Sequence, residues 1–165
     1  MNDRFDFAIY QVFGQTPNSS FIYKGYKMRF RYRFGEKGAY LVDPLLYFEY
    51  KGKPDFSEHG LEGKLILAKD IGNFNVAINP VIEYEYEGDS WESEIKYYAG
   101  IRYKIGELLT FGLEAQGGRN GHYVGPVISH GTGKAWVTFG SAVAITDIKN
   151  NKPQLMLRMI IGINL

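Results

Sequence analysis

Between residues 21 and 34 the side chains alternate almost without error. Ile22, Tyr26, Met28, Phe30, Tyr32 and Phe34 make one row, and Lys27, Arg29, Arg31 and Arg33 make the other. A period of two is the signature of a β-strand, because successive side chains leave opposite faces of the sheet. One face is therefore a broad apolar band and the other a row of like charges. Such a strand needs apolar surroundings on one side and counter-charges on the other.

The same pattern recurs along the chain. Ten strands are predicted, over residues 4–13, 21–34, 41–50, 60–69, Phe74–Glu87, 91–105, 108–117, 122–130, 135–146 and 155–165. Phe74–Glu87 is the cleanest. Phe74, Val76, Ile78, Ile82, Tyr84 and Tyr86 oppose Asn75, Asn79, Glu83, Glu85 and Glu87. The segment at 122–130 has no clear pattern, and its faces stay open. Residues 105–116 also carry helix-favouring Glu, Leu, Ala and Gln, so a short helix is a rival there. Pro80 and Pro126 fall inside strands. Proline cannot donate to a ladder, so local bulges are predicted at both.

Long alternating strands with one apolar face and one charged face predict an antiparallel up-and-down transmembrane β-barrel, with lipid outside and a polar lumen inside. The connections support this, reading short at 35–39, 70–73, 106–107 and 130–134. They read longer at 14–20, 51–59, 88–90, 118–121 and 147–153. Short turns at one end and longer loops at the other, with both termini at the short-turn end, are the habit of outer-membrane barrels. Thirteen Tyr, eleven Phe and twenty Gly suit the same architecture. The whole chain reads as one domain.

No run of about 18 apolar residues exists, so no transmembrane helix is predicted, whereas a barrel strand needs only about ten residues. Met1-Asn2-Asp3-Arg4 lacks the apolar core of a signal peptide, so an exported protein is expected to have lost its signal or to be truncated here. Nineteen basic residues against eighteen acidic leave a net charge of +1, and no basic module for nucleic acid is present. The absence of cysteine excludes disulfides and thiolate chemistry.

The predicted lumen-lining charges are Lys27, Arg29, Arg31, Arg33, Glu49, Glu62, Lys64, Glu83, Glu85, Glu92, Glu94, Arg102, Glu114 and Arg158, with Glu87 and Lys104 on the same faces. Two arrangements fit them. The ions pair across a narrow lumen and plug it, or a basic wall faces an acidic wall around a water path. No catalytic residue is assigned. His59 is expected in a loop, and Ser129 and His130, being adjacent on a strand, point apart. No close ligand spacing predicts a metal, no cofactor is expected, and the Gly-rich pieces at 117–118 and 131–133 read as turns.

Three stretches carry a family likeness: Asp43-Pro44-Leu45-Leu46-Tyr47-Phe48-Glu49-Tyr50, Leu61-Glu62-Gly63-Lys64-Leu65-Ile66-Leu67-Ala68-Lys69-Asp70-Ile71-Gly72, and Tyr123-Val124-Gly125-Pro126-Val127-Ile128-Ser129. In their order and spacing they resemble a family of bacterial outer-membrane barrels linked to the MetA-pathway of phenol degradation. The resemblance implies a porin-like or transport-related barrel. It also implies a further hairpin ahead of Asp3-Arg4-Phe5, hence twelve strands in the complete protein and ten here. The alternation before Leu165 resembles the C-terminal signal read by the barrel assembly machinery, although such barrels typically end in Phe. The expectation is a bacterial outer-membrane channel or porin for small solutes, with aromatic compounds as candidates and membrane lipid as partner. Its rivals are a structural or adhesion barrel with a salt-bridged lumen, and a soluble lipocalin-like ligand-binding barrel with the faces reversed.

Overall fold

A computed structural model describes residues 4–15, 20–87, 89–132, 134–150 and 152–163, with the side chain of Glu87 left out. Ten strands follow one another: β1 (Phe5–Gly14), β2 (Ile22–Arg33), β3 (Asp43–Gly52), β4 (His59–Ile71), β5 (Phe74–Glu87), β6 (Ser90–Ile105), β7 (Leu109–Gly118), β8 (Gly121–Gly131), β9 (Ala135–Ala144) and β10 (Leu155–Ile163). They form one sheet in chain order, β1 to β10. The pairings β1–β2, β2–β3 and β6 through β10 are antiparallel. No helix occurs among the described residues, so residues 105–116 resolve as the end of β6, a turn and the start of β7. No ladder among the described residues joins β1 to β10. The readings of Met1–Asp3, Asn164, Leu165, the Glu87 side chain and the connection centres at 16–19, 88, 133 and 151 lie outside what is described.

The chain divides into two compact units. One comprises Met1–Ile66 with Pro80–Ile95, the other Leu67–Asn79 with Lys96–Leu165. In both, the apolar rows are the exposed ones. In the first, Phe7, Ile9, Phe30, Leu46, Phe48 and Ile82 are exposed, whereas Glu49 and Glu83 retain only 5% and 4% of their surface. In the second, Ile78 is 53% exposed and Leu157 and Ile161 are each 65% exposed, while Thr138 is buried. Among the described residues the buried large apolar side chains are few: Val81, Tyr123 and Val127. A soluble monomer shows the reverse distribution and rarely exposes an apolar surface of this continuity.

β8 acquires a definite orientation. Gly121, Tyr123, Gly125 and Val127 are buried, and Pro126 and Ile128 are exposed. No bulge forms at Pro126. Leu113 pairs with Pro126 in register, and the β8–β9 register is the same at Val124–Val143 and at Val127–Gly140. Gly125 beside it is crowded by β9. A Cβ there would lie 1.7 Å from the Ser141 carbonyl oxygen, so the two backbones meet where a side chain would separate them. β5 continues through Pro80. In the β1–β2 ladder a register shift falls at Val12/Phe13, where Lys24 is the extra residue. The adjoining Gly25 has φ 149°, a region that disfavours side chains.

The alternation of connection lengths differs from expectation. The link 34–42 is long rather than short, 119–120 is a tight two-residue turn rather than a loop, and β6 already begins at Ser90, inside the expected connection 88–90. Residues 34–42 are held locally. The Ala39 amide donates to the Glu36 carbonyl at 3.0 Å and the Gly38 amide to Asp43 Oδ1 at 2.7 Å. Pro44 also limits earlier pairing, because it has no amide to donate.

Gly125→Ala is expected to destabilise the fold by about 3 kcal/mol, the upper range of overpacking. Gly140→Ala, whose Cβ would meet its neighbours no closer than 3.7 Å, should stay within about 0.5 kcal/mol of the parent. Equilibrium urea unfolding of the two variants checks this contrast.

Candidate functional site: the charged faces

The charged rows of the first unit form a network across β1 to β5. β2 contributes four cations on one face, and the adjoining strands answer them. Asp6 on β1 accepts from Arg29 Nη2 at 2.7 Å and from Arg31 Nε at 3.0 Å. Lys27 lies 3.3 Å from the buried Glu49 of β3, and Tyr47 donates to Glu49 at 2.7 Å. Two rings cover cations on this face: Arg29 sits 5.3 Å from the Tyr10 ring centre, and Lys64 4.3 Å from that of Tyr47. Arg33 reaches Glu36 at 3.8 Å, beyond the end of β2.

Lys51 is the hub of the second half of the network. Its ammonium contacts Glu83 on β5 and lies 3.6 Å from Glu62 on β4. Glu62 in turn holds Lys64 at 2.8 Å. Gly60 of β4 lies beneath the Lys51 stem, its Cβ position 3.4 Å from the Lys51 side chain. Glu85 is exposed on β5, and Glu92 and Glu94 stand on β6 near its start. Glu85 also borders a cleft of about 260 Å³ with Lys24, Lys53, Glu58 and His59.

Asp6, Tyr47 and Lys51 were not among the predicted charged-face contributors. Parity marks all three. Asp6 alternates with the apolar Phe5 and Phe7, and Lys51 keeps step with Tyr47 and Glu49 once β3 extends to Gly52. By sequence Lys51 falls in the connection 51–59, because the polar Lys51-Gly52-Lys53-Pro54 run looks like a turn.

The second unit gathers fewer ions. Arg102 on β6 and Arg158 on β10 each reach Glu114 on β7 at 2.5 Å, one on each carboxylate oxygen. Thus Arg102, Glu114 and Arg158 come together. The remaining predicted residues of the polar rows belong to the other unit, apart from Lys104 at the end of β6.

On the apolar faces, rings gather near strand ends. In the first unit, Phe30 packs with Phe5 at 6.1 Å and Phe7 at 4.8 Å. At the opposite ends of those strands Phe13 meets Phe21 and Tyr23 at 5.4 and 5.3 Å. A further string runs Tyr26–Tyr50–His59–Tyr86–Trp91, with Phe56 against Tyr26 and His59. His59 is the first residue of β4 rather than a loop residue, and its Nδ1 lies 2.6 Å from the Tyr50 hydroxyl. The second unit repeats the device. His122 Nδ1 lies 3.0 Å from the Tyr97 hydroxyl, with the rings stacked over Gly117. Between the ring clusters of the first unit lies an apolar groove of about 640 Å³ around Gly63 and Pro80, walled by Phe30, Phe48, Leu65 and Ile82.

Compared with known proteins, the chain significantly matches no family model, no curated sequence and no solved structure. Its chemistry therefore rests on its own geometry. Among the described residues no group of three or more His, Asp or Glu is placed to hold a metal ion. Ser129 shares a hydrogen bond with Thr138 at 2.7 Å, while His130 is exposed on the opposite face.

In the connection 53–58, Asp55 accepts from the Ser57 hydroxyl at 2.7 Å and from its amide at 3.1 Å, which holds the carboxyl below its ordinary range. Phe56, at φ 58°, is thereby turned toward the Tyr26 ring.

Removing one partner of a buried ion pair leaves an uncompensated charge, which typically costs 3–5 kcal/mol. Lys51→Met is expected to destabilise the protein by about 3 kcal/mol, because Glu62 and Glu83 lose their shared cation. The double variant Lys51→Met/Glu83→Leu should recover most of that loss. Denaturant midpoints of the parent and the variants, read as a cycle, provide the check.

Proposed function

We propose that this chain is an outer-membrane β-barrel that works as a passive channel for small solutes. The observation that carries the reading is the inverted distribution of polarity. Apolar rows lie exposed on every strand pair, and the ionic rows shelter one another. A face of Phe, Ile and Leu suits hydrocarbon, where a Lys or Arg at the midplane would cost about 2–4 kcal/mol. The ring clusters near the strand ends suit the two interfaces, where aromatic girdles gather.

Closure follows from the solvent. Each unpaired backbone group in hydrocarbon costs several kcal/mol, so only a closed sheet is stable in a bilayer. The edges of β1 and β10 must therefore find partners in the membrane. In such a ring the ionic rows would line the lumen, and Lys27, Arg29, Arg31, Glu49, Glu62 and Glu83 would set its field.

A second reading is favoured by one feature of the first unit. Asp6, Glu49, Glu62 and Glu83 each contact a cation on an adjoining or next-nearest strand, the arrangement of a lumen filled by side chains. The protein would then be a structural or adhesion barrel acting through its connections. A soluble lipocalin-like barrel is disfavoured, because it requires the apolar rows inside.

Planar-bilayer recording decides between channel and plug. Folded protein is expected to insert and give discrete conductance steps that change when Lys51 and Glu83 are replaced together. Insertion without conductance would support the plugged barrel. Stable monomer in detergent-free buffer would contradict both membrane readings.

A further inference from the structure

Taken alone, the second unit carries an excess of positive charge. Its sequence holds nine Lys and Arg against four Asp and Glu. On the polar face the imbalance is concentrated. Arg102 and Arg158 share the carboxylate of Glu114, and Lys104 stands two residues from Arg102 on the same strand face.

The ladders place these groups in rows. Reading across β6 to β10, one row is Arg102–Gly112–Val127–Gly140–Arg158. Two arginines thus stand at the ends of a row whose middle holds nothing larger than valine. Arg102 lies down over Gly112, where a Cβ would come within 2.8 Å of its Cγ. Arg158 Nη2 lies 3.8 Å from the Cβ position of Gly140. The two guanidiniums converge from opposite ends of this trough onto the two oxygens of Glu114.

The next row, about 7 Å along the strands, is Lys104–Thr110–Ser129–Thr138–Ile160. It sets an ammonium and three hydroxyls beside the trough, with Ser129 and Thr138 joined at 2.7 Å. On the other side lie Glu114 and Gly125.

We propose that this trough is a binding site for small organic carboxylates. Here one carboxylate serves two, each through Nη2, and a guanidinium has five N–H donors in a planar fork matched to carboxylate oxygens. Both arginine side chains remain nearly half exposed. A solute carboxylate is held as Glu114 is held, by both forks. Hydroxyls of the neighbouring row supply further donors, and the exposed Ile160 receives a short apolar body. Glu114 sets the affinity: it keeps the arginines in place and competes with the solute. As a solute site within a channel, the trough rests on the reading above, yet its binding chemistry can be measured without a membrane.

The test is titration of the folded protein in detergent micelles with propionate, reading the Nε–H resonances of Arg102 and Arg158. The parent is expected to show saturable shifts at both. Arg102→Gln/Arg158→Gln should bind at least about tenfold more weakly, and Glu114→Gln several-fold more tightly. Should the double variant not fold, Arg158→Lys keeps the charge without the fork and should lose about threefold to tenfold. Absence of saturable shifts in the parent, or unchanged affinity in the double variant or in Arg158→Lys, would overturn the site. Conductance without propionate binding would remove the site and leave the channel. Binding without conductance would remove the channel and leave the site.

Discussion

Four cations in a row on β2 are the constraint around which the first unit is arranged. Lys27, Arg29, Arg31 and Arg33 stand on one face of one strand, where like charges repel in any weakly solvated setting. They are tolerable only if adjoining strands present carboxylates in the right register. Asp6 on one side and Glu49 on the other do so, and Glu62 and Glu83 extend the balance through Lys51. With the ions sheltered, the other face is left to Phe, Tyr, Leu and Ile. Orientation, register and pairing are thus one decision, because a slip of one residue would exchange the two faces of a strand.

Glycines lie beneath these ions. Gly60 sits under the Lys51 stem, and at Gly112 a Cβ would come within 2.8 Å of Arg102 Cγ, so the arginine lies close against the sheet there. The two units balance their ions differently. In the first, carboxylates are plentiful and cations are shared among them. In the second, Glu114 is shared between Arg102 and Arg158, as Asp6 is between Arg29 and Arg31 in the first.

Period-two alternation made most of the architecture legible. The ten strands were readable to within a few residues because each has an apolar row that only one register can expose, and Phe74–Glu87 was recovered to the residue. β8 was opaque, since its buried positions are Gly121, Tyr123, Gly125 and Val127, a set without hydrophobic contrast to Pro126 and Ile128. The bulge expected at Pro126 does not form, since the proline keeps its register with Leu113 of β7. Connection lengths were the weakest inference. Turn-forming residues at 88–90 and 118–121 belong partly to long strands, whereas 34–42 folds on itself through Asp43. The members of the ionic rows could be read by parity. Their partners across strands could not, because ladder register is a tertiary property, and so the convergence of Arg102 and Arg158 on Glu114 is visible only once four ladders are aligned.

The central claim is that the apolar rows meet hydrocarbon and the ionic rows face away from it. Nitroxide labels at Ile78 and Ile161, and at Arg31 and Glu83, in protein reconstituted into phospholipid vesicles report this directly through collision with oxygen, which concentrates in hydrocarbon, and with a water-soluble nickel chelate. High oxygen and low nickel accessibility at Ile78 and Ile161, with the reverse ratio at Arg31 and Glu83, is the expected result. Nickel access at Ile78 and Ile161 together with oxygen-dominated collision at Arg31 and Glu83 would contradict it.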